Sequence, residues 1–390
     1  MRRRIAVDMT PLGPAGQTGG SGVVATSLIR QVSRLGPDWE LVLLTSSDSH
    51  DELAELDAPN VRRVRVIHEA PSNTMQSLAR QLARGLPTRL RVRAKDTAWR
   101  VRHRAPVVES DLMLCPFTSS NFWQPSQPLV VIVHDLQHVA FPQFFSEEKR
   151  LNRDQHLRDA AEHADAIVCV SDFVRQTLLS ELSVDQARVV TIHHGLLQPF
   201  DANAGTPGTY LLYPANFWPH KNHHVLLESF VAYRRQRPGG LPKLVCTGAS
   251  SPAMHKLRES AKATLAPRSV EFRGYVSKEE FVSLMDNCAA LIYPSLYEGF
   301  GMPVLEAMAR GKPVLCSRIP ALEEVAGDAA HYFDPNNCED IVRAIISLDD
   351  DRVGTARRVA CGRSRSLQFG DAASMARSYI GLFERILTKK

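Results

Sequence analysis

Ser295-Leu296-Tyr297-Glu298-Gly299-Phe300-Gly301-Met302-Pro303-Val304-Leu305-Glu306-Ala307-Met308-Ala309-Arg310-Gly311 carries two glutamates, Glu298 and Glu306, with seven residues between them. The apolar run Ala289-Ala290-Leu291-Ile292-Tyr293 before it reads as a buried strand, and Pro294-Ser295 ends that strand. Pro303 suits the first position of a helix, where its missing N–H costs little. Gly311 is placed to stop the helix, and Pro313 keeps it stopped. Glu298 therefore falls in a loop and Glu306 one turn into a helix. Gly299 and Gly301 let backbone approach a ligand closely, and free N–H groups at a helix start bind phosphate. Carboxylates beside such an anion site can accept hydrogen bonds from hydroxyls. The pattern predicts a pocket for a ligand that carries both phosphate and sugar.

Outward from this stretch, short apolar runs alternate with helical patterns. Residues 4–8, 40–45, 61–67, 111–115, 129–133, 166–170 and 189–192 read as strands. In 21–35, Val23, Val24, Leu28, Ile29, Val32 and Leu35 can line one helix face. Residues 201–208, Asp-Ala-Asn-Ala-Gly-Thr-Pro-Gly, interrupt the pattern with the composition of a linker. A second alternating series follows at 210–213, 243–247, 270–273, 289–293 and 314–317. The expected class is α/β: two Rossmann-like parallel-sheet domains, 1–204 and 205–370, facing across a cleft with the ligand at the strand ends. A last helix, 371–390, can pack back on the first domain.

The 390 residues carry a formal charge of +5, which is mildly basic and suits anionic ligands. No apolar stretch approaches the length of a bilayer-spanning helix. The opening Met1-Arg2-Arg3-Arg4-Ile5-Ala6-Val7-Asp8 reads as a first strand rather than a signal peptide, so a cytoplasmic protein is expected. Seven cysteines show no paired metal spacing, and Cys115, Cys169, Cys246 and Cys316 read as buried free thiols. Arg80, Arg84, Arg89, Arg91, Arg93, Lys95, Arg100, Arg102 and Arg104 interleave with Leu82, Leu86, Leu90, Trp99 and Val101. Such a segment reads either as a solvated face or as one that meets an anionic membrane surface peripherally. No nucleic-acid partner is expected. The run Asp349-Asp350-Asp351 superficially suits a metal-bound diphosphate, but it follows an amphipathic stretch and reads as a helix-terminal loop. Adjacent histidines His193-His194 and His223-His224 point apart on regular backbone and chelate poorly.

Four stretches together resemble the retaining family-4 glycosyltransferases of the GT-B fold, over nearly the whole chain. They are the glutamate stretch above; Tyr213-Pro214-Ala215-Asn216-Phe217-Trp218-Pro219-His220-Lys221-Asn222-His223; Val133-His134-Asp135-Leu136-Gln137-His138; and the weaker glycine run Gly19-Gly20-Ser21-Gly22. The resemblance implies that Glu306 binds the ribose of a nucleotide-sugar donor and that Glu298 contacts the donor sugar. It implies that amides of Phe300, Gly301 and Met302 cradle the diphosphate and sugar. Lys221 matches the lysine that holds the diphosphate, where a fixed ammonium stabilises leaving-group charge. In an open cleft its loss would cost little stability. Asn216 stands where many members carry a phosphate-binding arginine, so His220 or a first-domain arginine is left to replace that cation. His134 falls near the donor sugar, Asp135 and His138 on the acceptor side, and Gly20 and Gly22 near the diphosphate.

The reaction implied is transfer of a hexose to an acceptor hydroxyl with retained configuration and without a metal or other cofactor. The variants Phe217-Trp218-Pro219-His220-Lys221-Asn222 and Asp135-Leu136-Gln137-His138 resemble bacterial mannosyl- or hexosyltransferases that build surface polysaccharide on lipid-linked glycans. Two other readings fit the same fold: a non-catalytic sugar-nucleotide-binding protein, and a sugar-nucleotide epimerase that needs no acceptor.

Overall fold

The computed structural model describes residues 3–13, 19–67, 88, 108–197, 208–266 and 268–388. The linker expected at 201–208 lies outside these except for Gly208. The basic segment 80–104 lies outside them except for Thr88. The chain divides into two compact units, Met1–His193 with Ala372–Lys390, and His194–Asp371.

The first unit holds a seven-stranded parallel sheet. Its strands are β1 (Arg3–Asp8), β2 (Trp39–Ser46), β3 (Val61–Ile67), β4 (Leu112–Cys115), β5 (Leu129–Val133), β6 (Ala166–Cys169) and β7 (Val189–Thr191), in the order β3-β2-β1-β4-β5-β6-β7. The central strands are buried along their whole length: β4 as Leu-Met-Leu-Cys and β5 as Leu-Val-Val-Ile-Val. Strands covered on both faces read as continuous apolar runs, which is why the sequence marks them so plainly. Between and after them lie α1 (Gly20–Leu35), α2 (Gln137–Ala140), α3 (Glu147–His163) and α4 (Asp172–Glu181). Ser146 caps α3 by accepting from Lys149 N–H, and Ser171 caps α4 by accepting from Val174 N–H.

The second unit repeats the design with six parallel strands. They are β8 (Tyr210–Pro214), β9 (Lys243–Thr247), β10 (Val270–Phe272), β11 (Ala290–Tyr293), β12 (Val314–Ser317) and β13 (Ala330–Phe333), in the order β10-β9-β8-β11-β12-β13. Its helices are α5 (His223–Gln236), α6 (Pro252–Thr264), α7 (Lys278–Asn287), α8 (Met302–Ala309), α9 (Pro320–Ala326), α10 (Cys338–Asp350) and α11 (Arg352–Ser366). β13 has no counterpart in the sequence reading. Its residues Ala330-His331-Tyr332-Phe333 form no apolar run, and only the outer two are buried. Pairing with β12 along Val314–Ser317 makes it a strand.

The last helix, α12 (Ala372–Thr388), belongs to the first unit. It buries Met375, Ala376, Tyr379, Leu382, Phe383 and Ile386, a helical stripe, and packs on α1. Phe383 meets Trp39 edge to face at 6.2 Å. All seven cysteines are free thiols, and Cys115, Cys169, Cys246 and Cys316 are buried. The acidic run is used locally: Asp350 pairs with Arg237 at 2.5 Å, and Asp351 caps α11 by accepting from Gly354 N–H. No helix among the described residues is long and apolar enough to cross a membrane.

The fully buried Phe383 anchors α12. Phe383→Ala is expected to cost the first unit about 3–5 kcal/mol, the range for emptying an aromatic site in a packed core. Hydrogen exchange should then show faster exchange in α12 and β2, with the second unit's α8 unchanged.

Candidate active site

In the second unit, β8 and β11 are neighbours at the middle of the sheet, where the strand order changes direction. Loops leaving such a pair form the ligand crevice of doubly wound sheets. The loop after β8 runs through a single 3-10 turn, Pro219–Lys221, and enters α5 through Asn222 in the left-handed region at φ 58°. The loop after β11 runs from Pro294 into α8. The two are tied by Leu296 N–H donating to the His220 carbonyl at 2.8 Å. This brings Lys221 and Glu298 together across 77 residues, with Nζ and Oε1 2.5 Å apart.

Both side chains are largely shielded, with about a tenth of each exposed. Two tyrosines complete the setting. Lys221 Nζ donates to the Tyr293 hydroxyl at 3.3 Å and lies 5.4 Å from the centre of its ring. The Tyr213 hydroxyl donates to the Lys221 carbonyl at 2.5 Å and the two tyrosine rings meet edge to face. Burial pushes both phenols well above their ordinary range, so both are neutral donors. The shielded position removes the open-cleft condition under which loss of Lys221 would cost little stability. Removing Lys221 would strand the Glu298 carboxylate in a poorly hydrated place, a change that costs several kcal/mol in buried pairs.

α8 starts where Gly301 has φ 107°, a left-handed value that suits glycine. A Cβ there would stand 2.5 Å from Leu322 Cδ2 of α9. Pro303 occupies the first turn, as its ring geometry favours. Phe300 is buried against His194 and Phe369, at ring distances of 5.0 and 5.7 Å. Glu306 is buried one turn along, only 8% exposed. Burial pushes its carboxyl up to about 7, and the nearby Arg310 guanidinium opposes that rise. Asn216 accepts the Ala249 N–H at 2.7 Å, which fastens the loop after β8 to the loop after β9. His220 is buried and stacks obliquely on Trp218 at 5.6 Å.

In the first unit, His134 and Asp135 follow β5, at the carboxyl end of a central strand. The His134 Nε2 lies 2.7 Å from the Pro116 carbonyl oxygen. A carbonyl can only accept, so Nε2 carries a proton and donates. Burial lowers the imidazole below its ordinary range, with the Pro116 carbonyl and Asp135 partly offsetting it; the neutral ring then leaves Nδ1 as the acceptor. Asp135 accepts from Gln137 N–H at 3.0 Å and from Arg153 at 2.5 Å. His138 is buried, its Nε2 is 3.1 Å from Asp154, and burial lowers its imidazole too. Gly20 and Gly22 lie in the first turn of α1, with Gly19 before them at φ 63°. A Cβ on Gly20 would meet open space.

Sequence reading missed Asp8, Tyr293, Asp286 and Arg310. Asp8 ends β1 and is 1% exposed. Its Oδ1 accepts from Thr10 N–H at 3.0 Å and the Thr10 hydroxyl at 2.6 Å, and burial pushes its carboxyl up to about 6. The signal was an aspartate closing an apolar strand. For Arg310 it was a cation four residues after Glu306.

Two family models match the chain: "Glycosyltransferase Family 4" over residues 18–196 and "Glycosyl transferases group 1" over residues 198–364. The chain thus belongs to the glycosyltransferases of the GT-B fold, with one domain of each kind. Among its relatives, an O-antigen chain mannosyltransferase B from Escherichia coli is 29% identical over 260 residues, 62% of this chain and 68% of that protein. The O-antigen chain mannosyltransferase RfbU of Salmonella typhimurium is 26% identical, over 56% of this chain and 60% of that protein. A sucrose-phosphate synthase from Thermosynechococcus elongatus superposes with TM-score 0.73 at 18% identity, covering all of both chains. Anabaena HepE in complex with UDP-glucose gives TM-score 0.71 at 16% identity, over 99% of this chain and 100% of that one.

The Glu306 carboxyl, raised in the folded state, favours folding while neutral, so its contribution is full below its unfolded value of 4.5 and is lost as pH rises through about 7. Glu306→Gln should melt close to wild type at pH 5 and above it at pH 8, by up to about 3 kcal/mol in stability. Thermal melts of the ligand-free protein at the two pH values check this; an equal gap at both would refute it.

Proposed function

We propose that this glycosyltransferase moves a hexose, best read as mannose, from a nucleoside-diphosphate sugar to an acceptor hydroxyl with retained configuration. The observation that carries the reading is the shielded Lys221–Glu298 pair at the β8/β11 loops. It places a cation and a carboxylate in the same unit as the α8 start and Glu306. A diphosphate needs a cation, and a sugar needs hydrogen-bond acceptors for its hydroxyls.

In this reading the diphosphate takes the Lys221 ammonium, with Phe300, Gly301 and Met302 amides at the α8 start adding donors. Glu306 accepts from the two ribose hydroxyls, and Asn216 shapes the loop beneath the nucleotide. Glu298, released in part from Lys221, accepts from the donor sugar. The bond from C1 to the diphosphate oxygen breaks, and the acceptor oxygen bonds C1 on the same face. The acceptor proton passes to the departing phosphate oxygen. In the first unit, the family resemblance assigns substrate-binding roles to neutral His134, Asp135, His138, Gly20 and Gly22, with His134 an acceptor. The charge is met by Lys221 and backbone amides, so no metal is required.

The resemblance to O-antigen chain mannosyltransferases supports a glycan acceptor in surface polysaccharide synthesis, and the reading takes that glycan to be lipid-linked. The solved complexes of HepE with UDP-glucose support a nucleotide-sugar donor. A cytoplasmic enzyme working at the membrane face fits that acceptor.

A thermal-shift panel of nucleotide sugars, followed by acceptor trials with the best donor, tests the donor and the transfer. Lys221→Ala should lower turnover roughly 100-fold or more, the scale for one preorganised charge donor, and should also lower the melting temperature. Near-normal turnover in that variant would exclude the role. Activity should survive excess EDTA; loss with rescue by Mg²⁺ or Mn²⁺ would exclude metal-free transfer.

A further inference from the structure

Arg310 ends α8, four residues after Glu306, and is 1% exposed. Arginine is rarely so deeply buried without good partners. Its partners here are poor. Its Nε lies 3.0 Å from Asp286 Oδ1 at the end of α7, yet neither atom makes a hydrogen bond there. Nη1 reaches the Glu306 carbonyl oxygen only at 3.4 Å, and Nη2 has no partner. A buried ion pair this badly satisfied is a weak source of stability, and an apolar side chain would fill the space at lower cost. What the guanidinium supplies is positive charge on the helix face that carries Glu306, since residues four apart share a face.

We infer that Arg310 is a positioning residue that sets the charge of Glu306, and with it the pH range over which the second unit takes a nucleoside diphosphate. The nucleotide half rests on the ribose-binding reading of Glu306. The other groups on elements packed against α8 do not supply this charge. On β11 and β12, Tyr293 and Cys316 are kept neutral by burial. On α9, Glu323 pairs with Arg318 at 3.0 Å, and the Glu324 backbone carbonyl accepts from Arg365. On α11, Arg358 pairs with Asp351, and Arg363 lies against Gly311. Lys312 sits beyond the helix end, beside Cys288. Arg310 is the cation whose charge the Glu306 carboxyl feels, and Asp286 opposes that charge from the other side.

The test compares wild type, R310M, R310K, D286N, E306Q and the R310M/E306Q double variant from pH 5.5 to 9. Calorimetry measures UDP and GDP binding. Melts of the ligand-free proteins give the stability gained by E306Q at each pH, in the wild-type and in the R310M background. Wild-type affinity should rise with pH to a plateau, and E306Q should flatten that rise. R310M should move the midpoint of both curves up by about one pH unit, the scale of one neighbouring charge. R310K should keep the wild-type midpoint. D286N, which frees the guanidinium from its anion, should move the binding midpoint down. A purely structural role would lower stability in R310M and D286N alike and move neither midpoint, and that result would overturn the inference. So would a shift in R310K equal to that in R310M. If R310M does not fold, the downward shift in D286N decides. Equal UDP and GDP binding by wild type and E306Q at every pH would instead overturn the ribose reading, while the melts still decide whether Arg310 sets the charge.

Discussion

A buried ammonium and a largely shielded carboxylate 2.5 Å apart govern the second unit. Each alone would pay several kcal/mol to leave water, and together they offset that cost only if the backbone holds them in place. The neighbours supply what the pair lacks. Tyr293 gives Lys221 a hydroxyl and a ring face, and Tyr213 grips the Lys221 carbonyl. The Leu296–His220 backbone bond prevents the two loops from sliding apart. The Tyr213 bond spans eight residues, but the Tyr293, Glu298 and Leu296 contacts reach across more than seventy, so the pair exists only after β8 and β11 have become neighbours. Such a pair is a weak source of net stability. Its arrangement suits a site that must offer a cation to an incoming anion and a carboxylate to hydroxyls.

The same tension between burial and charge shapes α8. The helix must approach α9 closely, and Gly301 permits this because a Cβ would meet Leu322. On the same helix, burial pushes the Glu306 carboxyl up to about 7, against the pull of Arg310. A carboxyl poised near neutrality can be either charged or neutral at little cost. In the first unit burial acts on Asp8 and His134 in the same way, at the carboxyl ends of β1 and β5. Both units therefore concentrate dehydrated titratable groups where their strands end, as ligand crevices in doubly wound sheets require.

The sequence was legible wherever a local pattern has a local cause. Fully buried strands appear as apolar runs, and every strand but β13 among the described residues was read from the sequence. β13 escaped because its identity comes from pairing with β12, not from its own residues. The glutamate stretch was legible because Pro303, Gly301 and Gly311 each mark a specific backbone state. Glu298, Lys221, Glu306 and His134 were identifiable as candidates from residue type and motif. Their surroundings were not: Tyr293 looks like any strand tyrosine, and Asp8 like any strand-end aspartate.

By itself the sequence determined two alternating α/β series, the loop–helix turn around Gly301, and which charged residues stand at strand ends, because propensity and period act over a few residues. Only the tertiary structure decided that Lys221 meets Glu298, that both are shielded rather than open, and that Arg310 lies buried between Asp286 and the Glu306 helix. Those facts depend on distances between residues far apart in the chain and on the water excluded between them. Burial and pair electrostatics are properties of the packed unit, and no short stretch of chain carries them.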